Sequence, residues 1–97
     1  VSIEIAEKSK AANPEFVASG IYRSDNSWLY IQGNWDIVFI FAKNILRLLH
    51  KSRRYEIDTL PTLRRFLLPI REARKYAARI LELNTDEIRL KRWTNSQ

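Results

Sequence analysis

The sequence contains no cysteine and no methionine, and only one histidine, two glycines and three prolines. Without a thiol there is no disulfide framework, no thiolate metal site and no cysteine nucleophile. A single imidazole, His50, excludes a histidine-pair zinc site and leaves one side chain that titrates near neutrality. The small share of Gly and Pro excludes collagen-like and linker-like chains. With 45% hydrophobic and 11% aromatic residues, wholesale disorder is excluded as well. A chain of 97 residues is expected to form one domain spanning 1–97, burying roughly 60–70% of its unfolded surface. It begins at Val1 and lacks Met, which points to processing or to a fragment of a longer protein.

Long apolar runs are missing too. The most apolar stretch, Trp35 to Phe41, is about a third of a membrane span and is followed at once by Lys43, Asn44 and Arg47, so a transmembrane helix is excluded. No segment has the charged, apolar and small-residue order of a secretory leader. The expectation is an intracellular protein, cytoplasmic or nuclear, and not a secreted one.

Negative charge is scarce, and unevenly so. Seventeen Lys and Arg against eleven Asp and Glu give +6 and a pI near 10.0. Residues 1–42 carry Lys8, Lys10 and Arg23 against Glu4, Glu7, Glu15, Asp25 and Asp36, a net of −2. Residues 43–97 carry fourteen basic against six acidic residues, a net of +8. Eleven of the seventeen basic residues are Arg, whose planar fork of donors suits phosphate or carboxylate.

Val1 to Glu7 alternates apolar and polar residues, the period of a half-buried strand. Asn13-Pro14 marks a turn. Phe16 to Arg23 and Ser27 to Gln32 are rich in strand formers on either side of Ser24-Asp25-Asn26, which predicts a hairpin over about 16–32. Gly20 inside it predicts a bulge or a close backbone approach. Trp35 to Phe41 suits either a third strand or the start of a helix running from Asn34 to about Arg53, with Asn34 as its cap. The helix is preferred, because Ile37, Ile40, Ile45 and Leu48 keep its period; a helix from Ala42 onward is required in either case. A second long helix is expected from Thr59-Leu60-Pro61 to Leu83, kinked or split at Pro69 and closed by Asn84. Glu87 to Trp93 alternates again and predicts a last strand, able to pair with the first. The expected class is α+β: a small antiparallel sheet packed against two or three helices.

Several residue sets could carry function. Lys43, Arg47, Lys51 and Arg54, extended by Arg53, fall on one face of the first helix. Arg64, Arg71, Arg74, Lys75 and Arg79 lie mostly opposite the apolar stripe of the second, with Arg65 at its edge. Cations at i, i+4 and i+7 can follow the phosphates of a nucleic acid. The competing reading is a solvated helix surface, with Glu72 and Glu82 pairing along the helix. Aromatic residues on a sheet can stack unpaired bases. Of Phe16, Tyr22, Trp28, Tyr30 and Trp35, most are expected to be core in a domain this small, and Trp28 and Tyr30 are the candidates for a base or sugar contact.

Signals for catalysis are weak. His50 sits among cations, which favours a neutral ring, yet no nucleophile or carboxylate stands at a readable spacing from it. Glu56-Ile57-Asp58 and Asp86-Glu87 read as helix and strand caps and not as metal ligands. Gly20-Ile21-Tyr22 followed by Tyr30-Ile31-Gln32 resembles the hairpin of GIY-YIG nucleases over about thirteen residues. Gln32 replaces the final Gly of that pattern, and no Arg stands between Asn34 and Lys43, where the family's catalytic one would fall. No site is carried over. Asn34 to Arg54 would also suit an acidic membrane surface as a free amphipathic helix, but a domain this small needs that stripe for its core.

The expected function is therefore non-enzymatic binding of DNA or RNA through basic helical faces, with no cofactor and no metal. The alternative is a protein-interaction or homodimerisation domain of a larger regulatory protein, since alternating strands leave an edge that a second chain can extend.

Overall fold

A computed structural model describes residues 1–82. In chain order the elements are β1 (Ser2–Glu7), β2 (Val17–Ala18), a 3-10 turn (Gly20–Tyr22), β3 (Leu29–Gly33), β4 (Ile37–Ala42), α1 (Lys43–Lys51), β5 (Ile57–Thr59), β6 (Leu63–Leu67), α2 (Ile70–Tyr76) and β7 (Arg79–Glu82). The class is α+β, with two antiparallel sheets in place of the single one expected and two α-helices beside them.

The first sheet has the order β2-β1-β6-β5. Alternation along β1 turns Ile3 and Ile5 inward, and the register sets Ile3 against Phe66 of β6, so two fully buried side chains share one face. The pairing shifts between Glu4 and Ala6, a bulge that re-aims the end of the strand. The second sheet has the order β3-β4-β7. Its central strand sends Phe39 and Phe41 into the core, their rings stacked at 5.9 Å, with Gln32 and Tyr30 of β3 opposite them. Leu46 and Leu49 of α1, Ala73 of α2 and Ile21 of the 3-10 turn complete one core cluster between the sheets.

Three expectations are corrected. Trp35 to Phe41 does not begin a helix: Ile37 onward is β4, the middle strand of a sheet. Asn34 acts through the chemistry that suggested a cap, since its side-chain oxygen accepts the amide N–H groups of Asp36 (2.9 Å) and Ile37 (3.1 Å). That geometry serves an Asx turn as well as a helix start. The helix required from Ala42 onward is present as α1.

The hairpin over 16–32 is also replaced. Val17 and Ala18 pair with β1, Gly20 to Tyr22 form the 3-10 turn, and β3 pairs with β4. The turn at Asp25, whose carboxylate accepts the Ser27 N–H at 3.0 Å, therefore links the two sheets. The third correction concerns the long helix from Pro61. Leu60 and Leu63 close a turn (2.8 Å) between β5 and β6, and only Ile70–Tyr76 is helical. Pro69 lacks the N–H to continue a ladder, while its carbonyl accepts the Glu72 and Ala73 N–H groups at 3.0 and 2.9 Å and so starts α2. Strand pairing on both sides of β6 outweighs the helix propensity of Leu and Arg in that stretch. The strand expected over Glu87 to Trp93, and its pairing with β1, lie outside the described residues.

Candidate nucleic-acid interface

With the long helix absent, the two basic rows are redistributed. Lys43 is buried at the first turn of α1, its Nζ 3.0 Å from the Asp25 carboxylate. It is not offered to an outside phosphate. Arg47 is half-buried, and its Nε donates to the Ile21 carbonyl at 2.6 Å, tying α1 to the 3-10 turn. Arg64, on β6, lies 4.3 Å above the centroid of the Phe16 ring, and Lys8 lies 4.5 Å from the same centroid. Arg74 is paired with Glu82 at 2.9 Å. Arg79 is exposed on β7, opposite Ile40.

The remaining members gather at one corner. Lys51 ends α1, and Arg53 and Arg54 follow in the turn, all exposed. Arg53 adopts a left-handed backbone, φ 60°, which bends the chain back toward α2. The Tyr55 hydroxyl donates to the Glu72 carboxylate of α2 at 3.0 Å, locking the turn to that helix. Arg54 lies 5.5 Å from the Tyr55 ring centroid, and a hydrogen bond to Tyr76 with the charges around it pushes its pKa above the ordinary value. Lys75 lies 5.3 Å from the Tyr76 ring centroid. Arg71 shares the face of α2 with Lys75 at i, i+4. Arg54 and Lys75, exposed cations from two distant stretches, thus meet at Tyr55 and Tyr76 beside Glu72, and exposed Lys51, Arg53 and Arg71 stand on the same turn and the same helix. Neither tyrosine is a residue that sequence reasoning selects. The signal is the adjacency of a cation and a tyrosine in Arg54-Tyr55 and Lys75-Tyr76, which a helical-face reading passes over.

The two aromatic candidates part company. Tyr30 points into the protein opposite Phe41, and its hydroxyl accepts the Glu4 backbone N–H at 3.2 Å; burial pushes its pKa up. Trp28 has a side chain 70% exposed and a backbone carbonyl that accepts the Lys43 N–H at 2.8 Å, so it lies at the other end of α1 from Lys51, about 12 Å along the axis.

His50 is half-buried behind the corner. Its Nδ1 is hydrogen-bonded to the Tyr22 hydroxyl at 2.6 Å, and its ring stacks on Phe66 at 5.6 Å. Burial, and then the charge of Lys51, lower its pKa, so the neutral ring is the folded form and accepts the Tyr22 O–H. A histidine whose pKa is depressed by folding contributes stability that is fully present above its unfolded value, near 6.5, and is lost as pH falls through the lower folded value. The urea midpoint is expected to fall between pH 7.5 and 5.5, and to fall less in His50→Gln. Equal pH dependence in the two proteins would contradict this role.

Among the described residues no group of three or more His, Asp or Glu is placed to hold a metal ion, and no described helix is long and apolar enough to cross a membrane. No protein-family model matches the chain, and comparisons with curated proteins and with solved structures find no match.

Proposed function

We propose that the chain binds nucleic acid, DNA or RNA, by gripping phosphates with the corner formed by Lys51, Arg53, Arg54, Arg71 and Lys75. The observation that supports this most is the junction at Tyr55 and Tyr76, which holds cations from the α1 turn and from α2 at one place. Cations fixed against aromatic rings lose less rotamer freedom when they meet an anion. Arg supplies the forked donors that phosphate accepts in pairs. Contacts of this kind set affinity and orientation and carry no base information, so binding is expected to be indifferent to sequence. Trp28, exposed at the far end of α1, is the side chain this reading offers for stacking a base.

Fluorescence anisotropy with labelled mixed-sequence 20-mers, single- and double-stranded, tests the reading at 50 mM salt. Replacing Lys51, Arg53 and Arg54 together by Ala is expected to weaken binding on the order of 10²-fold and uniformly across sequences. Arg74→Ala, which removes a guanidinium already paired with Glu82, should change it little. Absent binding by the wild-type protein, or an unchanged affinity in the triple variant, would refute the proposal.

A further inference from the structure

The face of the second sheet turned away from Phe39 and Phe41 carries Ile31 of β3, Val38 and Ile40 of β4, and Leu81 of β7. The register brings them together, with Ile31 opposite Ile40 and Val38 opposite Leu81. Both helices deliver their buried residues to the other side, into the cluster of Phe39 and Phe41. The described residues leave this face open: Ile31 is 62% and Leu81 38% exposed, and Trp35, at the tip of the β3-β4 turn, is 87% exposed. Isolated exposed apolar residues are ordinary, but here two adjacent cross-strand rows, Ile31-Ile40 ending at Arg79 and Val38-Leu81 beginning at Gly33, make a contiguous patch.

We propose that a second copy of this chain docks on that face, packing sheet against sheet in a two-fold dimer. Two arguments favour a second copy over other occupants. The first is charge. The chain carries +6, so two copies repel over most of their surface, and this face presents one cation, Arg79, at its edge. An acidic partner or a phosphate would be drawn to the cations of the α1-α2 corner, since among the described residues this face offers it Arg79 alone, whereas an aliphatic patch is self-complementary, as a two-fold interface requires. The second is area. With a Trp ring alone worth about 150–250 Å², the patch offers on the order of 500 Å² per copy, or roughly 1,000 Å² in total, the lower limit of a specific interface. An interface at that limit makes a weak, concentration-dependent dimer.

Sedimentation equilibrium of the full chain between 1 and 200 μM, without nucleic acid, tests the proposal. A monomer-dimer equilibrium is expected. It should tighten as salt rises from 50 to 500 mM, because screening removes the repulsion between two basic copies. Phosphate binding moves in the opposite direction with salt, so the two proposals fail separately. Ile31→Asp should raise the dissociation constant at least 10-fold with an unchanged thermal midpoint for the monomer. Trp35→Ser, at a side chain outside the core, should raise it several-fold and serves if the first variant misfolds. A monomer throughout the concentration range overturns the proposal, as does undiminished association in both variants. A monomeric wild type whose midpoint drops in Ile31→Asp also overturns it, since the face would then be covered within the chain by the residues after Glu82.

Discussion

Phe66→Ala is expected to lower the free energy of unfolding by about 3–5 kcal/mol. Phe66 is fully buried on β6, the strand that β1 and β5 both pair with, and the register sets it against Ile3 on one side and Ile57 on the other. Its ring also carries His50 at 5.6 Å and Tyr55 at 5.7 Å. Truncation therefore opens a cavity where the first sheet, the end of α1 and the cationic corner meet. A domain of this size holds about 5–10 kcal/mol in all, so the variant should be close to unfolding at 37 °C. Urea denaturation at 25 °C measures the effect. Leu48→Ala, at a position on α1 that is 66% exposed, should cost less than about 1 kcal/mol and provides the comparison. If the two variants lost similar stability, Phe66 would not occupy the centre assigned to it. Because Tyr55 rests on this ring, a folded Phe66→Ala protein at low temperature should also bind nucleic acid more weakly.

Gly20→Ala carries the second large effect, about 3 kcal/mol, and for a different reason. Gly20 has φ +56°, and a Cβ placed there would lie 2.1 Å from the backbone oxygen of Glu4 and 2.7 Å from its carbonyl carbon. The left-handed conformation alone costs a non-glycine residue about 1 kcal/mol or more. The overlap adds to this, because the obstructing atoms are backbone and cannot rotate aside. Relief would require the 3-10 turn to back away from β1, withdrawing buried Ile21 and the Tyr22 hydroxyl that bonds His50. Thermal unfolding followed by circular dichroism should show a midpoint lowered by more than 10 °C, given about 4–8 °C per kcal/mol for a domain of this length. An unchanged midpoint would mean that the turn does not approach β1 as described. The sequence pattern expected a close approach at Gly20, and the structure supplies its partner, the backbone of Glu4.

How far the fold could be read in advance depended on whether the deciding partner was local. Alternation in Ser2–Glu7 identified β1, because a half-buried strand states its own period. The helix after Ala42 is legible from the spacing of Ile45 and Leu48, and the α+β class follows, although the face it buries is that of Leu46 and Leu49 while Leu48 is 66% exposed. The Asn34 side chain was recognised as an acceptor for following amides, but a hairpin turn and a helix cap use that acceptor alike. What separated them was β7, which pairs with β4 from forty residues further on. The stretch from Leu63 to Leu67 reads at helical spacing because Phe66 and Leu67 fit either period. Only the pairing with β1 and β5 makes it a strand.

The candidate site shows the same division. That the positive charge lies in the second half was legible; which cations reach solvent was not. Lys43 and Lys51 sit at the two ends of α1, one buried against Asp25 and the other exposed. The difference arises from β3 and its preceding turn lying over one end only. The convergence of Arg54 and Lys75 depends on Tyr55 reaching Glu72 across seventeen residues, a contact that no periodicity announces.

The salt dependence of binding tests the central claim most directly. For a mixed-sequence duplex between 50 and 200 mM salt, five phosphate contacts predict a slope of log association constant against log salt of about −4.5, or about −3.5 for a single strand. Removing Lys51, Arg53 and Arg54 should reduce the duplex slope to about −1.8. A slope near zero in the wild-type protein, or one that the triple variant leaves intact, would contradict a phosphate grip at this corner.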